Sequence, residues 1–174
     1  MILSGDEIKK EMDKNLIIDP FNENRLNSNS YNLLLHNELL VYEDALLDMK
    51  KKHKMKKIRI PDEGYILEPG KLYLGRTFEY TETHKYVPMI EGRSSIGRLG
   101  LLTHVTAGFG DVGFKGYWTL EMSSIKLLKI YPYVEIVQIY YHVVQGETNH
   151  IKYNGKYQNN TEIQSSKLYE DYKV

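Results

Sequence analysis

The chain has 174 residues, enough for one compact domain with a sizeable core but too few for two domains of ordinary size. Lysine plus arginine equals aspartate plus glutamate at 23 each, which excludes a strong overall attraction to nucleic acid or to a membrane surface. The lack of cysteine excludes disulfides, thiolate nucleophiles and sulfur-based zinc sites, and it fits a reducing cytoplasm. We therefore expect a cytoplasmic protein that binds neither nucleic acid nor a membrane.

The first predicted element is a short helix over residues 4–14. Ser4 and Glu7 have the spacing of a capping box, and Ile8 and Met12 share one face of the segment that follows. From Ser30 onward, turn formers separate short runs rich in Tyr, Val, Ile and Leu. The predicted strands are 31–35, 38–42, 57–60, 71–78, 86–90, 118–122, 126–131 and 134–144. Their spacing predicts an all-β barrel or sandwich with one or two short helices.

Two polar stretches interrupt this pattern. Six lysines crowd into positions 50–57 around His53, which favours a solvated loop over a phosphate or nucleic-acid patch. After Glu147 the composition turns polar and asparagine-rich, typical of a tail rather than a core. We treat residues 1–174 as a single domain in which 148–174 form an arm that can close over a ligand.

The stretch from Ile90 to Glu121 carries the chemistry. Gly92-Arg93-Ser94-Ser95, followed by Gly97-Arg98, brings two guanidinium groups and two hydroxyls together with flexible backbone. Arginine forks and close backbone N–H groups suit a phosphate. A polar turn with surface arginines fits these residues equally well, and the pattern alone leaves both interpretations open.

The second half of this stretch contains four glycines, at positions 108, 110, 113 and 116, which let main-chain groups approach a flat ligand. Beyond them, strand alternation places Thr119 and Glu121 on one face and Trp118 and Leu120 on the other. A carboxylate on the inner face of a barrel strand is costly without a purpose. The alternative is that this face meets water and Glu121 is an ordinary surface residue.

In order, Gly-Arg-Ser-Ser, Arg-Leu-Gly, His-x-Thr-Ala, Asp-x-Gly-Phe-x-Gly and Thr-Leu-Glu resemble the signature of the deoxycytidine triphosphate (dCTP) deaminase family, in the dUTPase-like superfamily. The resemblance extends to Ser30-Tyr31-Asn32-Leu33, Leu67-Glu68-Pro69-Gly70 and Ser166-Lys167-Leu168-Tyr169. It implies a distorted dUTPase-like β-barrel, β-clip or jelly-roll-like, assembled as a homotrimer. Active sites would lie at the subunit interfaces.

The resemblance also implies roles for individual residues. The catalytic residues would be Glu121, Ser94, Arg98 and Asp111. Neighbouring chains would share the triphosphate site formed by Arg93, Ser94, Ser95 and Arg98. Base and sugar would contact Val105, Thr106, Ala107, Asp111, Thr119, Leu120 and Glu121, with Gln138 nearby. From the arm, Tyr153, Lys156 and Asn160 would fold towards the phosphates.

Glu121 is the expected proton shuttle for hydrolysis at C4 of cytosine, taking a proton from water and passing it to N3. A metal ligand set is not expected, because the six histidines lack metal-ligand spacing, although His104 lies within the signature. Mg²⁺ is expected only as the companion of the triphosphate. The chain departs from the family pattern at Gly110 and Val112, where Ile and Pro are common, at Asn32, where Asp is common, and at Asn160, where a tail Gln is common.

Hydrolytic deamination of dCTP to dUTP and ammonia is the expected reaction. The runs 106–109 and 111–116 resemble bifunctional members, which continue to dUMP and pyrophosphate, and Asp111 could position the second water. One alternative is a dUTP diphosphatase with little deaminase activity. Another is a nucleotide-binding regulatory protein. The sequence leaves open whether dCTP, dUTP or a modified nucleotide is preferred and whether dTTP inhibits.

Overall fold

The computed structural model describes residues 1–146 and 152–172 and shows a mostly β fold. The helices are α1 (Gly5–Glu11) and α2 (Ser94–Arg98), with 3-10 turns at Glu23–Arg25 and Leu168–Tyr172. The strands are β1 (Leu16–Asp19), β2 (Tyr31–Leu34), β3 (Glu38–Tyr42), β4 (Met55–Arg59), β5 (Tyr65–Leu67), β6 (Tyr73–Arg76), β7 (Tyr80–Thr83), β8 (Val87–Gly92), β9 (Leu101–Leu102), β10 (Lys115–Gly116), β11 (Thr119–Ser124), β12 (Leu128–Ile130) and β13 (Glu135–His142). The predicted all-β class with one or two short helices is confirmed.

The strands form small antiparallel sheets rather than one continuous surface. The largest has the order β4-β3-β6-β11-β9, and β13 lies between β2 and β8 in another. The remaining sheets have the orders β1-β7-β10 and β12-β5. Because β11 pairs with β6 along residues 119–122, the strand that carries Glu121 is held by main-chain hydrogen bonds.

The core lies between the inner faces of these sheets. The large side chains of Tyr31, Leu33 and Ile139 are fully buried where β2 and β13 pair, and Tyr141 is fully buried where β13 pairs with β8. Burial of each such side chain contributes about 1.5–3 kcal/mol to folding. Burial of the Tyr141 hydroxyl raises its pKa well above the ordinary tyrosine value.

Helix α1 begins as the sequence predicts and ends earlier. The Ser4 hydroxyl accepts a hydrogen bond from the Glu7 N–H at 3.2 Å, and Ile8 is fully buried beneath the helix. The predicted continuation to residue 14 is wrong, because Met12 has left the helical conformation, with φ −57° and ψ 141°. No helix within the described residues is long and apolar enough to cross a membrane.

Strands β1 and β7 pair with each other, and the predicted set lacked both. Thr81 and Thr83 of β7 are 2% and 1% exposed although they are polar. Their hydroxyls donate to the Gly116 and Tyr86 carbonyls at 3.3 and 2.5 Å, so burial leaves no hydroxyl unpaired. The strand prediction relied on alternating apolar residues. In β7, the buried positions are instead occupied by threonines whose hydroxyls are hydrogen-bonded.

The lysine-rich stretch includes most of β4, the edge strand of the largest sheet. Lys56 and Lys57 are exposed on it, and Lys57 lies 3.4 Å from Glu38 on β3. Charged side chains on an edge strand oppose pairing with another chain. The predicted solvated loop therefore applies to the residues before Met55.

Candidate active site

Strand β11 presents Thr119 and Glu121 on one face, as strand alternation predicts. Both are half-buried, whereas Leu120 and Met122 on the opposite face are 1% and 0% exposed. Thr119 and Glu121 line a cavity of about 560 Å³, which we call the large cavity. Because the Leu120 side chain points into the core, only its main chain could meet a ligand there.

The large cavity combines an aromatic wall with few polar groups. Among the residues predicted for the site, it brings together Ala107, Asp111, Thr119, Glu121, Tyr153 and Asn160. Its further lining residues are Tyr42, Leu72, Leu74, Phe109, Gly110, Phe114, Tyr117, Trp118, Tyr157, Gln164, Ser165 and Ser166. Flat apolar walls with a small number of convergent polar groups are typical of a site for a planar ligand.

The Glu121 carboxylate is oriented by main chain. Its Oε2 accepts a hydrogen bond from the Val105 N–H at 3.2 Å. Val105 and Thr106 are exposed in the loop after β9 and do not line the cavity themselves. A carboxylate with one oxygen tethered and the cavity beside it can exchange protons with a bound ligand.

Glycines let the next loop lie close against β8. The Ile90 N–H donates to the Gly108 carbonyl at 2.8 Å, and the Gly110 N–H donates to the Pro88 carbonyl at 2.9 Å. A Cβ at Gly108 would lie 2.6 Å from the Ile90 carbonyl oxygen. This approach carries the loop past β8 and places the exposed Asp111 at the large cavity.

Gly110, where the family commonly has Ile, is explained by its neighbours. A Cβ there would lie 2.4 Å from Cη2 of Trp118 and 2.8 Å from Cγ of Pro88. The indole of Trp118 is fixed, because its Nε1 donates to the Thr81 hydroxyl at 2.9 Å. The turn that contains Gly110 is therefore held in place by packing against the Trp118 ring.

A second cavity, of about 280 Å³, contains three of the four residues predicted for the shared triphosphate site; we call it the small cavity. It is lined by Asn27, Ser28, Asn29, Ser30, Asn32, Arg93, Ser94, Ser95 and Gln138. Ser94 and Ser95 are exposed at the start of α2, and Arg93 is the residue that precedes the helix. The two cavities share no lining residue, and Arg98, exposed at the end of α2, lines neither.

The polar arm packs on its own chain. Ile163 is 7% exposed, so the arm contributes a residue to the buried set despite its composition. The Gln164 N–H donates to the Thr119 hydroxyl at 3.0 Å, and the Ser166 N–H donates to the Tyr42 hydroxyl at 3.2 Å. Residues 153–166 therefore form one wall of the large cavity, whereas 147–151 and 173–174 lie outside the described residues.

The three arm residues predicted to meet phosphate all have partners within the chain. Tyr153 packs against Phe114 with ring centroids 5.9 Å apart. Lys156 Nζ lies 2.5 Å from Asp171 Oδ2, a hydrogen bond that raises the Lys156 pKa. Lys156 lines neither cavity, and its contact with phosphate stays a prediction.

Asn160 anchors the arm to β10 and the residue after it. Its side-chain oxygen accepts from the Tyr117 N–H at 3.0 Å, and its nitrogen donates to the Tyr157 carbonyl at 3.0 Å. Gln158 completes the attachment by donating to the Gly113 carbonyl at 2.7 Å. In this conformation, the Asn160 amide binds main chain, so its expected phosphate contact would require rearrangement.

Several lining residues were absent from the sequence prediction. Tyr42 and Tyr157 come from distant segments whose proximity no local pattern indicates. Gln164 lies four residues after the position where a tail glutamine is common, so an offset search of the arm could have found it. Ser28 and Asn29 directly precede the Ser30-Tyr31-Asn32-Leu33 motif and could have been included with it.

His104 makes contacts typical of a structural residue. Its Nε2 lies 3.6 Å from Glu91 Oε2, and its Nδ1 is buried without a hydrogen-bond partner among the described residues. Over residues 1–146 and 152–172, no group of at least three His, Cys, Asp or Glu side chains is arranged to hold a metal ion. Metal-free chemistry stays a prediction.

Comparisons with known proteins agree with this geometry. A dCTP deaminase-like family model matches residues 2–144. Proteins named "dCTP deaminase, dUMP-forming" from Hathewaya histolytica and Clostridium acetobutylicum are 63% and 65% identical over 99% of this chain and 99% of their own length. A protein of the same name from Cytophaga hutchinsonii is 60% identical, with the same coverage.

A solved structure supports the fold independently. The 2'-deoxycytidine 5'-triphosphate deaminase from Agrobacterium tumefaciens superposes with a TM-score of 0.66 at 16% sequence identity. The match covers 82% of this chain and 46% of that longer chain. At this identity, the likeness shows the fold alone.

Proposed function

Because the chain belongs to the dCTP deaminase-like family, we propose that it hydrolyses dCTP to ammonia and dUTP and continues to dUMP and pyrophosphate. The single observation that carries this proposal is the half-buried Glu121 carboxylate, which faces the large cavity beside Thr119 and Asp111. Relatives named as dUMP-forming, at 60–65% identity over nearly the full length, support the second step. A purely regulatory role gives no reason for such a carboxylate.

Deamination assigns Glu121 a sequence of proton transfers. The carboxylate takes a proton from water as the water oxygen adds to C4, and it passes that proton to N3. The carboxylate then takes the remaining proton from the C4 hydroxyl and gives it to the amino group, so that the C4–N bond breaks, ammonia leaves and the C4 carbonyl forms. The Val105 N–H keeps one carboxylate oxygen in place, so the other is directed to the reacting atoms.

The second step breaks the bond between the α-phosphorus and its bridging oxygen. A water oxygen attacks the α-phosphorus and pyrophosphate leaves with that bridging oxygen, so dUMP remains. Asp111 is the candidate for orienting this water, since it is exposed at the rim of the large cavity and close in sequence to the signature glycines. Mg²⁺ would enter with the triphosphate and offset its charge.

The phosphate-binding residues are proposed to come from a neighbouring subunit of a homotrimer. Arg93, Ser94 and Ser95 line a cavity that shares no residue with the one containing Glu121. Exposed apolar side chains near α2 offer a surface for association. They are Leu99, Leu102, Ile125 and Leu127, all more than half exposed. We further propose that dTTP competes with substrate and that the enzyme acts in the cytoplasm.

The decisive experiment replaces Glu121, the proposed proton shuttle. Purified protein and its Glu121→Gln variant are incubated with dCTP and Mg²⁺, while ammonia, dUTP and dUMP are resolved over time. We expect the variant to lose ammonia release by at least about a hundredfold, because the amide cannot carry the proton. Calorimetric binding of dCTP should persist, since the shape of the side chain is retained.

A matched control and a second substrate complete this test. Glu38→Gln removes a carboxylate that pairs with Lys57 at the edge of the same sheet and lines neither cavity, so it should retain full activity. Full ammonia release by Glu121→Gln would overturn the assignment. If the wild type releases pyrophosphate from dUTP but no ammonia from dCTP, the chain is a dUTP diphosphatase.

A further inference from the structure

Glu135, outside the residues assigned above, contacts the guanidinium group of Arg93. Nη1 of Arg93 lies 3.0 Å from Oε2 of Glu135 and donates to the Glu135 main-chain oxygen at 3.1 Å. The side chains are 35% and 32% exposed. Arg93 lines the small cavity, whereas Glu135 does not. Glu135 therefore contacts a residue of the cavity lining without belonging to the lining itself, so we expect it to act on a ligand through that residue.

The same carboxylate oxygen also holds a second residue of the small-cavity lining. Oε2 of Glu135 accepts from Nδ2 of Asn32 at 2.9 Å, and Asn32 is 6% exposed. Oδ1 of Asn32 accepts in turn from Nδ2 of Asn27 at 2.9 Å. The Ser30 hydroxyl, which accepts from Asn27, donates to Gln138. One acidic side chain thus joins Arg93 to Asn32 and, through Asn32, to the hydrogen-bonded polar residues of the same cavity.

The contacts with Glu135 leave the Nε–Nη2 edge of the Arg93 guanidinium group available to a ligand. Both involve Nη1, and within residues 1–146 and 152–172 no hydrogen bond from Nε or Nη2 of Arg93 to the protein is found. The Nε–Nη2 edge is one with which arginine can fork a phosphate. A carboxylate in contact with Nη1 can therefore orient this edge without occupying it.

We propose that Glu135 is the positioning residue of the phosphate site, holding Arg93 so that its Nε–Nη2 edge forks a phosphate of the nucleotide. This proposal rests on the proposed function for its ligand. In the alternative arrangement, the carboxylate would compete with phosphate for the arginine and its removal would strengthen binding. When Glu135 is replaced, the two arrangements predict opposite changes in the dissociation constant for dCTP.

Glu135→Gln distinguishes the two arrangements, because it removes the charge of the side chain and retains its shape. In the Glu121→Gln background, where substrate is not consumed, we expect the dissociation constant for dCTP to rise about tenfold. In the otherwise intact enzyme, KM should rise by a similar factor while kcat stays within about twofold. Glu38→Gln is the matched control, since Glu38 is 33% exposed and pairs with a lysine, and it should change neither constant.

A double-mutant cycle separates positioning from a general structural effect. In an Arg93→Ala background, Glu135→Gln should have no further effect on the dissociation constant for dCTP, because the arginine through which it acts is gone. Unchanged or tighter binding in Glu135→Gln, or an equal loss with and without Arg93, would overturn the proposal. The proposed function is judged separately, by whether the wild type releases ammonia from dCTP.

Discussion

At the scale of single residues, Gly110 shows how packing explains a departure from the family pattern. The space that its side chain would fill belongs to the ring of Trp118, which is held by Thr81, and to Pro88. Neither ring can yield without losing contacts of its own. The glycine and the tryptophan are therefore one structural unit, although eight positions separate them in sequence.

Gly110→Ala should accordingly destabilise the protein. A methyl group forced against two fixed rings costs about 1–3 kcal/mol through overpacking. The free energy of unfolding, measured by chemical denaturation, should fall by that amount. Gly97→Ala is the matched control, because a Cβ there meets nothing within 4 Å, and it should cause no loss. Equal stability of the Gly110→Ala variant and the wild type would contradict this account.

Residue-scale prediction from sequence succeeded where a local rule applied. Period-two alternation placed Thr119 and Glu121 on the cavity face, as the structure shows. Asn160 could not be understood in this way, because its partners are main-chain groups of Tyr117 and Tyr157 brought together by folding. A side chain that binds main chain of a segment distant in sequence, as Asn160 does at Tyr117, leaves no local pattern.

At the scale of elements, the connection between β3 and β4 is organised around a histidine. His53 Nδ1 lies 2.9 Å from the Asp44 carboxylate, and its Nε2 lies 2.9 Å from both the main-chain carbonyl oxygen and the main-chain nitrogen of Asp48. The Asp48 carbonyl and then the Asp44 carboxylate favour the protonated ring and raise the His53 pKa. Because the folded value is raised, this contribution to loop stability is fully present below the ordinary histidine pKa of about 6.5 and is lost as pH rises through the folded value.

An NMR titration of the histidine ring protons checks this prediction. His53 should titrate above the ordinary histidine value, and Asp44→Asn should bring its pKa down because a charged acceptor is removed. Asp62→Asn, which changes an exposed aspartate in the turn after β4, should leave the His53 pKa unchanged. Titration of His53 at the ordinary value in the wild type would show that the ring lacks these partners in solution.

Strand prediction failed where the buried residues of a strand are polar. The strands with an apolar alternation, such as β3 and β13, were found with nearly the observed bounds. Strand β7 was missed, because its buried residues are polar threonines whose hydroxyls donate to main-chain carbonyls, Thr81 to that of Gly116 and Thr83 to that of Tyr86. The Thr81 hydrogen bond joins residues 35 positions apart, and a single sequence does not display such a partner.

At the scale of the whole molecule, the separation of the two cavities is the principal feature. The groups suited to phosphate and the carboxylate suited to the base lie in cavities without a common lining residue. No motif spacing could have indicated this separation, since it depends on where α2 and β11 lie after folding. A complete site in the proposed trimer would combine the small cavity of one subunit with the large cavity of another.

Mixing two inactive variants tests this arrangement. Glu121→Gln and Arg98→Ala chains are co-expressed in equal amounts, so that mixed trimers form. If sites are shared between subunits, random assembly leaves roughly a quarter of the sites with both residues intact, and ammonia release should recover to that level. Separately purified variants, assayed together without subunit exchange, provide the baseline.

The same experiment distinguishes a site contained within one subunit. In that arrangement, every site in the mixture carries one of the two lesions, and activity should stay at the baseline. Light scattering on the mixed sample verifies that it is trimeric. A monomeric wild type with full activity would contradict the proposed assembly.

The hydrogen bond from the Val105 main chain to Glu121 affects which substitutions this enzyme can accept during evolution. The donor is an amide hydrogen that every residue except proline supplies, and the Val105 side chain is 67% exposed. Almost any replacement at position 105 thus preserves the orientation of the carboxylate. Position 105 can therefore change in sequence, acquiring new surface properties, while the orientation of the Glu121 carboxylate is inherited unaltered.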